Sequence, residues 1–414
     1  MTPFSPPAPA VSPRRTPLHI CIVGGGFGGL YTALYLQRYR HLKDCKITLV
    51  EPQDQFLFTP LLYEILTDEL QVWEIAPTYS SLVAGQNIHW HQDRAIDVSL
   101  TDRQVTLAGG SLLSYDYLVM ATGAATRPLD IPGVDAFTLP FRTLDDALTL
   151  KGRLEQLAVT CSSPSIIVVG GGASGVELAT KVFDRFKGRA QVVLLDRGDR
   201  LLKPFAPGLR RAAERALKRR GIEVWYRSSV AAVTDQQVQG QRAGQPFVRD
   251  CDLTLWATGT TPVGWLGREA VSTNDQGQVW VKPTLQLLDH PAVFVLGDNA
   301  AVQGAAKPHP NTAQAAYQGA DTVAKNLVAM VQGKTPKPFR YLHLGDMLTL
   351  GKHAGGVWSF GLTLSGKLGG MLRRAVYLYR LPTHHHRIKV ARRTIQQLLG
   401  FHSSPKAGRT RWVR

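Results

Sequence analysis

Short, uninterrupted apolar runs alternate with stretches of helical composition along this chain. His19-Ile20-Cys21-Ile22-Val23 suits a buried strand, Tyr31 to Arg40 suits a helix, and Lys46 to Val50 predicts a second strand. The same succession returns with Ser165 to Val169, Val176 to Phe186 and Gln191 to Leu195. Tyr115 to Met120, Leu253 to Trp256 and Ala292 to Leu296 read as further strands, and Thr312 to Val331 as a long helix. Gln55 to Tyr63, aromatic and apolar, stands in loop-like surroundings and is expected to pack under the first domain.

Glycines fill the first two strand-to-helix junctions. Gly24-x-Gly26-x-x-Gly29 has the spacing for a tight turn, a close backbone approach to a pyrophosphate and close packing of helix on strand, with the helix N-terminus facing the anion. The second strand then ends in Glu51, 22 residues beyond Gly29, where an acid can hydrogen-bond a ribose hydroxyl. One such pattern is weak by itself. Here it recurs as Gly170, Gly172 and Gly175, with Asp196 closing the next strand 21 residues after Gly175. Two dinucleotide sites are therefore expected. Two strands also end alike, in Ala-Thr-Gly at Thr122-Gly123 and at Thr258-Gly259, which suggests that the chain leaves the first domain and returns to it. A later strand ends in Gly297-Asp298.

Length allows two or three cores in 414 residues. The expected divisions are a disordered proline-rich leader at 1–17, a first nucleotide domain at 18–128 and 252–345, an inserted second at 129–251, and a C-terminal region at 346–414. No signal peptide and no span long enough to cross a bilayer is read in the sequence. Cys21, Cys45, Cys161 and Cys251 form no closely spaced pair, which argues against a zinc site or a redox dithiol and fits a reducing compartment. Charge adds more. Of the net +17, +13 falls between Met347 and Arg414, where there is no Asp or Glu. A cationic segment of this kind points to an anionic surface.

The two cradles, the two Ala-Thr-Gly exits and the late Gly-Asp strand resemble the flavoprotein oxidoreductases with two dinucleotide-binding domains, over about residues 18 to 340. The resemblance implies an α/β fold of two Rossmann-like domains. FAD belongs at Gly24, Gly26, Gly29 and Glu51, with Thr122, Gly123, Gly259, Gly297 and Asp298 around it and Asp298 on the ribityl chain. NADH or NADPH belongs at Gly170, Gly172, Gly175 and Asp196 of the inserted domain. Asp196 would bond a free 2′-hydroxyl and repel a 2′-phosphate, whereas Arg197 could hold that phosphate, so NADH is expected with tolerance of NADPH.

No cysteine pair follows Glu51, where the disulfide reductases of this superfamily carry theirs. Ala313-Gln314-Ala315-Ala316-Tyr317-Gln318 instead resembles the Ala-Gln-x-x-x-Gln motif of type II NAD(P)H:quinone oxidoreductases. That likeness implies a quinone bordered by Ala313, Gln314, Tyr317 and Gln318. Gln314 and Gln318 share one helix face and can donate hydrogen bonds that strengthen as quinone oxygens gain charge; an exposed surface pair is the alternative. Glu177 matches a glutamate that the family places near nicotinamide and flavin, although a helix N-terminal acid that only favours the macrodipole would look the same. Glu177, Gln314 and Gln318 are thus the expected catalytic residues, and no nucleophile is required.

Phe56 to Glu64, Trp73 to Pro77, Gly345 to Gly351 and Tyr377 to Thr383 look like the demethylphylloquinone reductase branch, which acts in phylloquinone biosynthesis. A respiratory NADH:plastoquinone or menaquinone dehydrogenase is the nearest alternative. A sulfide:quinone reductase would need reactive cysteines, and a nucleic-acid-binding flavoprotein would use the basic tail differently. In that tail, Leu372, Ala375, Val376 and Tyr379 fall on one helical face and Arg373, Arg374 and Arg380 on the other, and Ile388, Ala391, Ile395, Leu398 and Leu399 repeat the design. Such helices can lie in a lipid interface, which predicts a peripheral enzyme on the cytoplasmic face of a membrane, the thylakoid in a photosynthetic cell. Packing on the body or on a dimer partner is the competing use of these faces. His384-His385-His386 lacks the spacing of a helical metal site and is expected to be solvated or interfacial, with no metal bound.

Overall fold

The structure is a computed structural model that describes residues 17–127, 130–305 and 307–398. The expected leader up to Thr16, the boundary residues Pro128 and Leu129, and Leu399 of the tail lie outside the described residues. The chain forms two compact units. One comprises the chain up to Asp54 with Val83–Ala125 and Pro262–Tyr341; the other comprises Gln55–Leu82, Thr126–Thr261 and the chain from Leu342 on.

The first unit is built on a five-stranded parallel sheet in the order Val293–Val295, Tyr117–Met120, His19–Val23, Lys46–Val50, His89–His91. Its central strands are apolar without alternation because both faces are covered. Helix Phe27–Leu36 leaves the first strand and packs along helix Ala313–Val331. Tyr31 on one helix lies against Tyr317 on the other, with ring centroids 6.2 Å apart. Thr312 caps the long helix by accepting a hydrogen bond from the Ala315 N–H.

In the second unit the parallel sheet runs Glu223–Trp225, Gln191–Leu195, Ser165–Val169, Leu253–Trp256, Thr138–Pro140. Helices Leu144–Thr160, Ala173–Arg185 and Pro207–Arg219 belong to this unit, as does an antiparallel sheet of Ser228–Val233, Gln237–Arg242 and Gln245–Asp250. From Asp346 a second antiparallel sheet follows, Asp346–Thr349, Gly355–Ser359 and Leu362–Gly366, and then helices Lys367–Arg380 and His384–Leu398.

Two observations depart from the sequence reading. Gln55 to Tyr63 is not a loop under the first domain: Thr59–Ile65 is a 3₁₀ helix of the second unit, with Phe56, Phe58, Leu61, Leu62 and Tyr63 buried. The units also divide at Ala125/Thr126 and Thr261/Pro262, and residues from 342 on group with the second unit.

Candidate functional site

In the first cradle each glycine has a distinct steric reason. Gly24 has φ +96°, and a Cβ there would fall 2.5 Å from the Ala121 carbonyl oxygen. A Cβ on Gly29 would lie 1.8 Å from the Gly24 carbonyl oxygen, so helix and turn touch through bare backbone. At Gly26 nothing lies within 4 Å of that position, which leaves the loop open on the side where a pyrophosphate needs backbone N–H groups. Glu51 accepts from the Gly25 N–H at 2.7 Å and the Gln53 N–H at 3.0 Å, which braces the loop.

The second cradle repeats the same three features. Gly170 has φ +118°, a Cβ on Gly175 would meet the Gly170 carbonyl oxygen at 1.7 Å, and Gly172 is open to 4 Å. Asp196 accepts from the Gly171 N–H at 2.6 Å and the Gly198 N–H at 2.7 Å. Arg197 beside it is exposed.

Thr122 and Gly123 follow the strand Tyr117–Met120 in the first unit, and Gly297 opens a short 3₁₀ turn, Gly297–Asn299. The Asp298 carbonyl accepts from Gln278 Nε2 at 3.0 Å, which holds the turn. Asn299, which the sequence reading missed, is buried; its Nδ2 donates to Thr122 Oγ1, and its Oδ1 has no hydrogen-bond partner. An orphaned buried acceptor beside open glycine turns fits a cofactor that donates to it through a hydroxyl or N–H. Its only signal was position, directly after Gly-Asp. Gly259 belongs to the second unit, has φ +67°, and accepts from the Arg127 N–H at 3.3 Å.

Ala313, Gln314, Tyr317 and Gln318 are half-buried in the first turns of the long helix. Tyr341 donates its hydroxyl to Gln314 Oε1 at 3.1 Å, which fixes the acceptor end of that amide. The Tyr317 ring lies 6.2 Å from Tyr31, and Tyr31 stacks on Phe27 at 6.0 Å. The glutamine face is thereby tied to the helix that leaves the first cradle.

Glu177, in helix Ala173–Arg185, is buried and accepts from the Thr349 N–H at 2.8 Å. Arg373 Nη2 stands 3.6 Å from it, while Arg373 Nη1 donates to Glu64 at 2.5 Å. One helical turn beyond Glu177, the fully buried Lys181 pairs with Glu69 and lies 3.9 Å from Glu64. Burial pushes the Glu177 carboxyl up to about 7, against the opposing pull of Arg373 and the Thr349 N–H. Arg373, Lys181, Glu64 and Glu69 were not anticipated. The available signal was a lysine four residues after Glu177 on an otherwise apolar helix face.

Arg373 corrects the expected tail geometry. It does not share the solvent face with Arg374 and Arg380 but turns inward, and its chain neighbours Met371 and Leu372 and the later Tyr379 are exposed. The exposed face of helix Lys367–Arg380 is therefore largely apolar. On the second tail helix Ile388 and Ile395 are exposed, and Val390 and His386 are buried. His386 is thus not solvated: its ring nitrogen meets the Glu74 carbonyl at 2.9 Å. Among the described residues no group of His, Cys, Asp and Glu is arranged to hold a metal ion. The four cysteines are unpaired, and burial pushes the Cys21 thiol up to about 12 and raises that of Cys251, so both stay protonated at neutral pH.

Residues 18–320 match the family model described as pyridine nucleotide-disulphide oxidoreductase. The chain is 38% identical to a demethylphylloquinone reductase of Synechocystis sp. over 389 residues, 92% of this chain and 96% of that protein. It is 34% identical to an alternative NAD(P)H-ubiquinone oxidoreductase C1, chloroplastic/mitochondrial, of Arabidopsis thaliana, over 90% of this chain and 79% of that one. Among solved structures, NDH2 of Plasmodium falciparum in complex with NADH aligns with a TM-score of 0.81 at 19% identity, over 92% of this chain and 98% of that one, a likeness of fold.

Proposed function

The chain belongs to the pyridine nucleotide-disulphide oxidoreductases, as an FAD-dependent NAD(P)H:quinone oxidoreductase of type II, and we propose a role for each part of the site. The first cradle holds FAD and the second holds NAD(P)H. The acceptor is a membrane naphthoquinone, demethylphylloquinone, in phylloquinone biosynthesis, as the name of the Synechocystis relative suggests. A respiratory plastoquinone or menaquinone acceptor is the second reading, and the Arabidopsis relative, named for ubiquinone, shows that the acceptor differs among relatives.

When bound, the flavin supplies the two-electron chemistry that joins NAD(P)H oxidation to quinone reduction. The chain's own residues bind, orient and handle charge. Glu51 and Asp196 fix the two loops and offer carboxylate oxygens to ribose hydroxyls. Gln314 and Gln318 donate to the quinone carbonyl oxygens, and those bonds strengthen as the oxygens gain negative charge. The Glu177 carboxyl, poised near neutrality, can hold or release a proton at working pH. Burial keeps the Cys21, Cys45 and Cys251 thiols protonated, and no two cysteines pair, which weighs against a sulfide:quinone reductase.

One observation carries the quinone assignment: the helix bearing Gln314 and Gln318 packs directly along the helix that leaves the FAD cradle. Replacing Gln318 by Leu should lower kcat/KM for the quinone about a hundredfold and leave NADH:ferricyanide activity in place. Equal loss with both acceptors would refute a quinone role.

Among the described residues no helix is long and apolar enough to cross a membrane. The tail helices, apolar outward and free of acidic residues, serve as a peripheral anchor on an anionic membrane, with the thylakoid's cytoplasmic face as the expected place. Their apolar faces favour lipid over nucleic acid, and a homodimer is not needed for either cradle.

A further inference from the structure

Ser359-Phe360-Gly361-Leu362 is a two-residue hairpin turn between strands Gly355–Ser359 and Leu362–Gly366, in which Ser359 pairs with Leu362. Phe360 has φ +46° and Gly361 φ +86°, the two positive angles of a type I′ turn. Asn-Gly or Asp-Gly is the favoured sequence there, because a bulky side chain is strained in the left-handed region. Phe360 is also 80% exposed, and Leu362, two residues on, is 79% exposed. Backbone strain and aromatic exposure at one residue stabilise nothing within the chain.

The exposure continues beyond the turn. Leu364 shares a strand face with Leu362, and the chain passes directly into the helix on which Leu368, Met371, Leu372 and Tyr379 are exposed at helical spacing. Scattered single apolar residues are ordinary on a protein surface, but a run of this length is not. Cations surround it. Lys367 is exposed at the start of the tail helix, and helix Pro207–Arg219 packs against the hairpin, with Gly208 closed against Thr363 and Leu209 against Gly356. That helix exposes Arg211, Arg215, Lys218 and Arg219 and carries one acid, Glu214.

We propose that the Phe360–Leu362 turn is a wedge that inserts into an anionic lipid surface, with headgroups held by the cations of the tail and of helix Pro207–Arg219. The inference rests on the peripheral-membrane reading and adds to the tail helices a third contact point, on the hairpin. A second copy of the chain fits the face poorly. A two-fold contact sets the same patch against itself, which here would place cations against cations with no carboxylate in the tail to answer them. Nucleic acid would meet the charge but leave the phenyl and leucyl groups in water.

The test compares wild type, Phe360→Asn and the tail-helix variant Leu368→Gln/Met371→Gln, all full-length, for binding to phosphatidylcholine vesicles containing phosphatidylglycerol. Asparagine relieves the turn, so Phe360→Asn should melt no lower than wild type and keep its NADH:ferricyanide activity. Its vesicle partitioning should fall about tenfold, the loss expected when one phenyl side chain no longer inserts. Unchanged partitioning of Phe360→Asn, with binding lost in Leu368→Gln/Met371→Gln, overturns the wedge and leaves the peripheral-membrane reading intact. Wild type that ignores the vesicles overturns both. A dimer that dissociates in Phe360→Asn by light scattering, with vesicle binding unchanged, identifies a second copy as the occupant and overturns the proposal.

Discussion

Arg373 and Glu177, 196 positions apart in sequence, bring a guanidinium nitrogen and a carboxylate oxygen to 3.6 Å. Both are buried, and the other arm of the guanidinium is bonded to Glu64. The C-terminal helix is thereby joined to the helix that follows the second cradle by charge as well as by packing. Removing one partner of such a cluster leaves uncompensated charge in a poorly solvated place. Arg373→Met should destabilise the protein by about 3–5 kcal/mol at pH 8. The loss should be smaller at pH 5, where the freed carboxyls take up protons. Chemical denaturation at the two pH values measures both.

Glu177 makes a pH-dependent contribution of its own. Burial raises its carboxyl from the ordinary 4.5 to about 7, so the folded protein binds that proton more tightly than the unfolded chain does. Its stabilising contribution is complete below pH 4.5 and is lost as the pH rises through 7. Over that window, wild type should lose roughly 3 kcal/mol relative to Glu177→Gln. If Glu177 also serves the reaction, the wild-type pH–rate profile should bend near 7, and the bend should vanish in Glu177→Gln.

The two cradles were legible because their requirements are local: strand, glycine spacing, helix and a strand-terminal acid all lie within about thirty residues of chain. The turn at Gly297-Asp298 and the helix that carries Gln314 and Gln318 were visible in the same way, each as a short pattern on one element. The charged cluster was not. Glu64 sits in an aromatic run, Lys181 on an apolar helix face and Arg373 in a tail that reads as uniformly cationic, and only tertiary contact turns them into one group. Helical periodicity likewise assigned Arg373 to solvent, because periodicity marks a face without naming what covers it. Phe360 escaped notice because its peculiarity is a backbone angle.

Gly26 and Gly29 should respond differently to substitution. A side chain at Gly26 meets no protein atom within 4 Å, so Gly26→Val should fold and yield a colourless protein whose cradle is blocked. Gly29→Ala sets its Cβ 1.8 Å from a carbonyl oxygen and should fail earlier, with low soluble yield or a depressed Tm. Absorbance of the purified proteins and their melting curves separate the two outcomes.

The two oxygens of Asp196 accept from the Gly171 and Gly198 N–H groups, and the proposed site puts the nicotinamide cofactor's ribose beside them. A 2′-phosphate brought there meets negative charge, while the exposed Arg197 softens the conflict. NADH should therefore give the higher kcat/KM, with measurable turnover of NADPH. A strong preference for NADPH would contradict this placement of Asp196.

Anaerobic reduction by NADH, followed by mixing with quinones, tests the central claim most directly. The yellow absorbance should bleach with NADH and return when demethylphylloquinone is added, faster than with ubiquinone. A chromophore that NADH fails to bleach, or that no quinone restores, would contradict an NAD(P)H:quinone oxidoreductase.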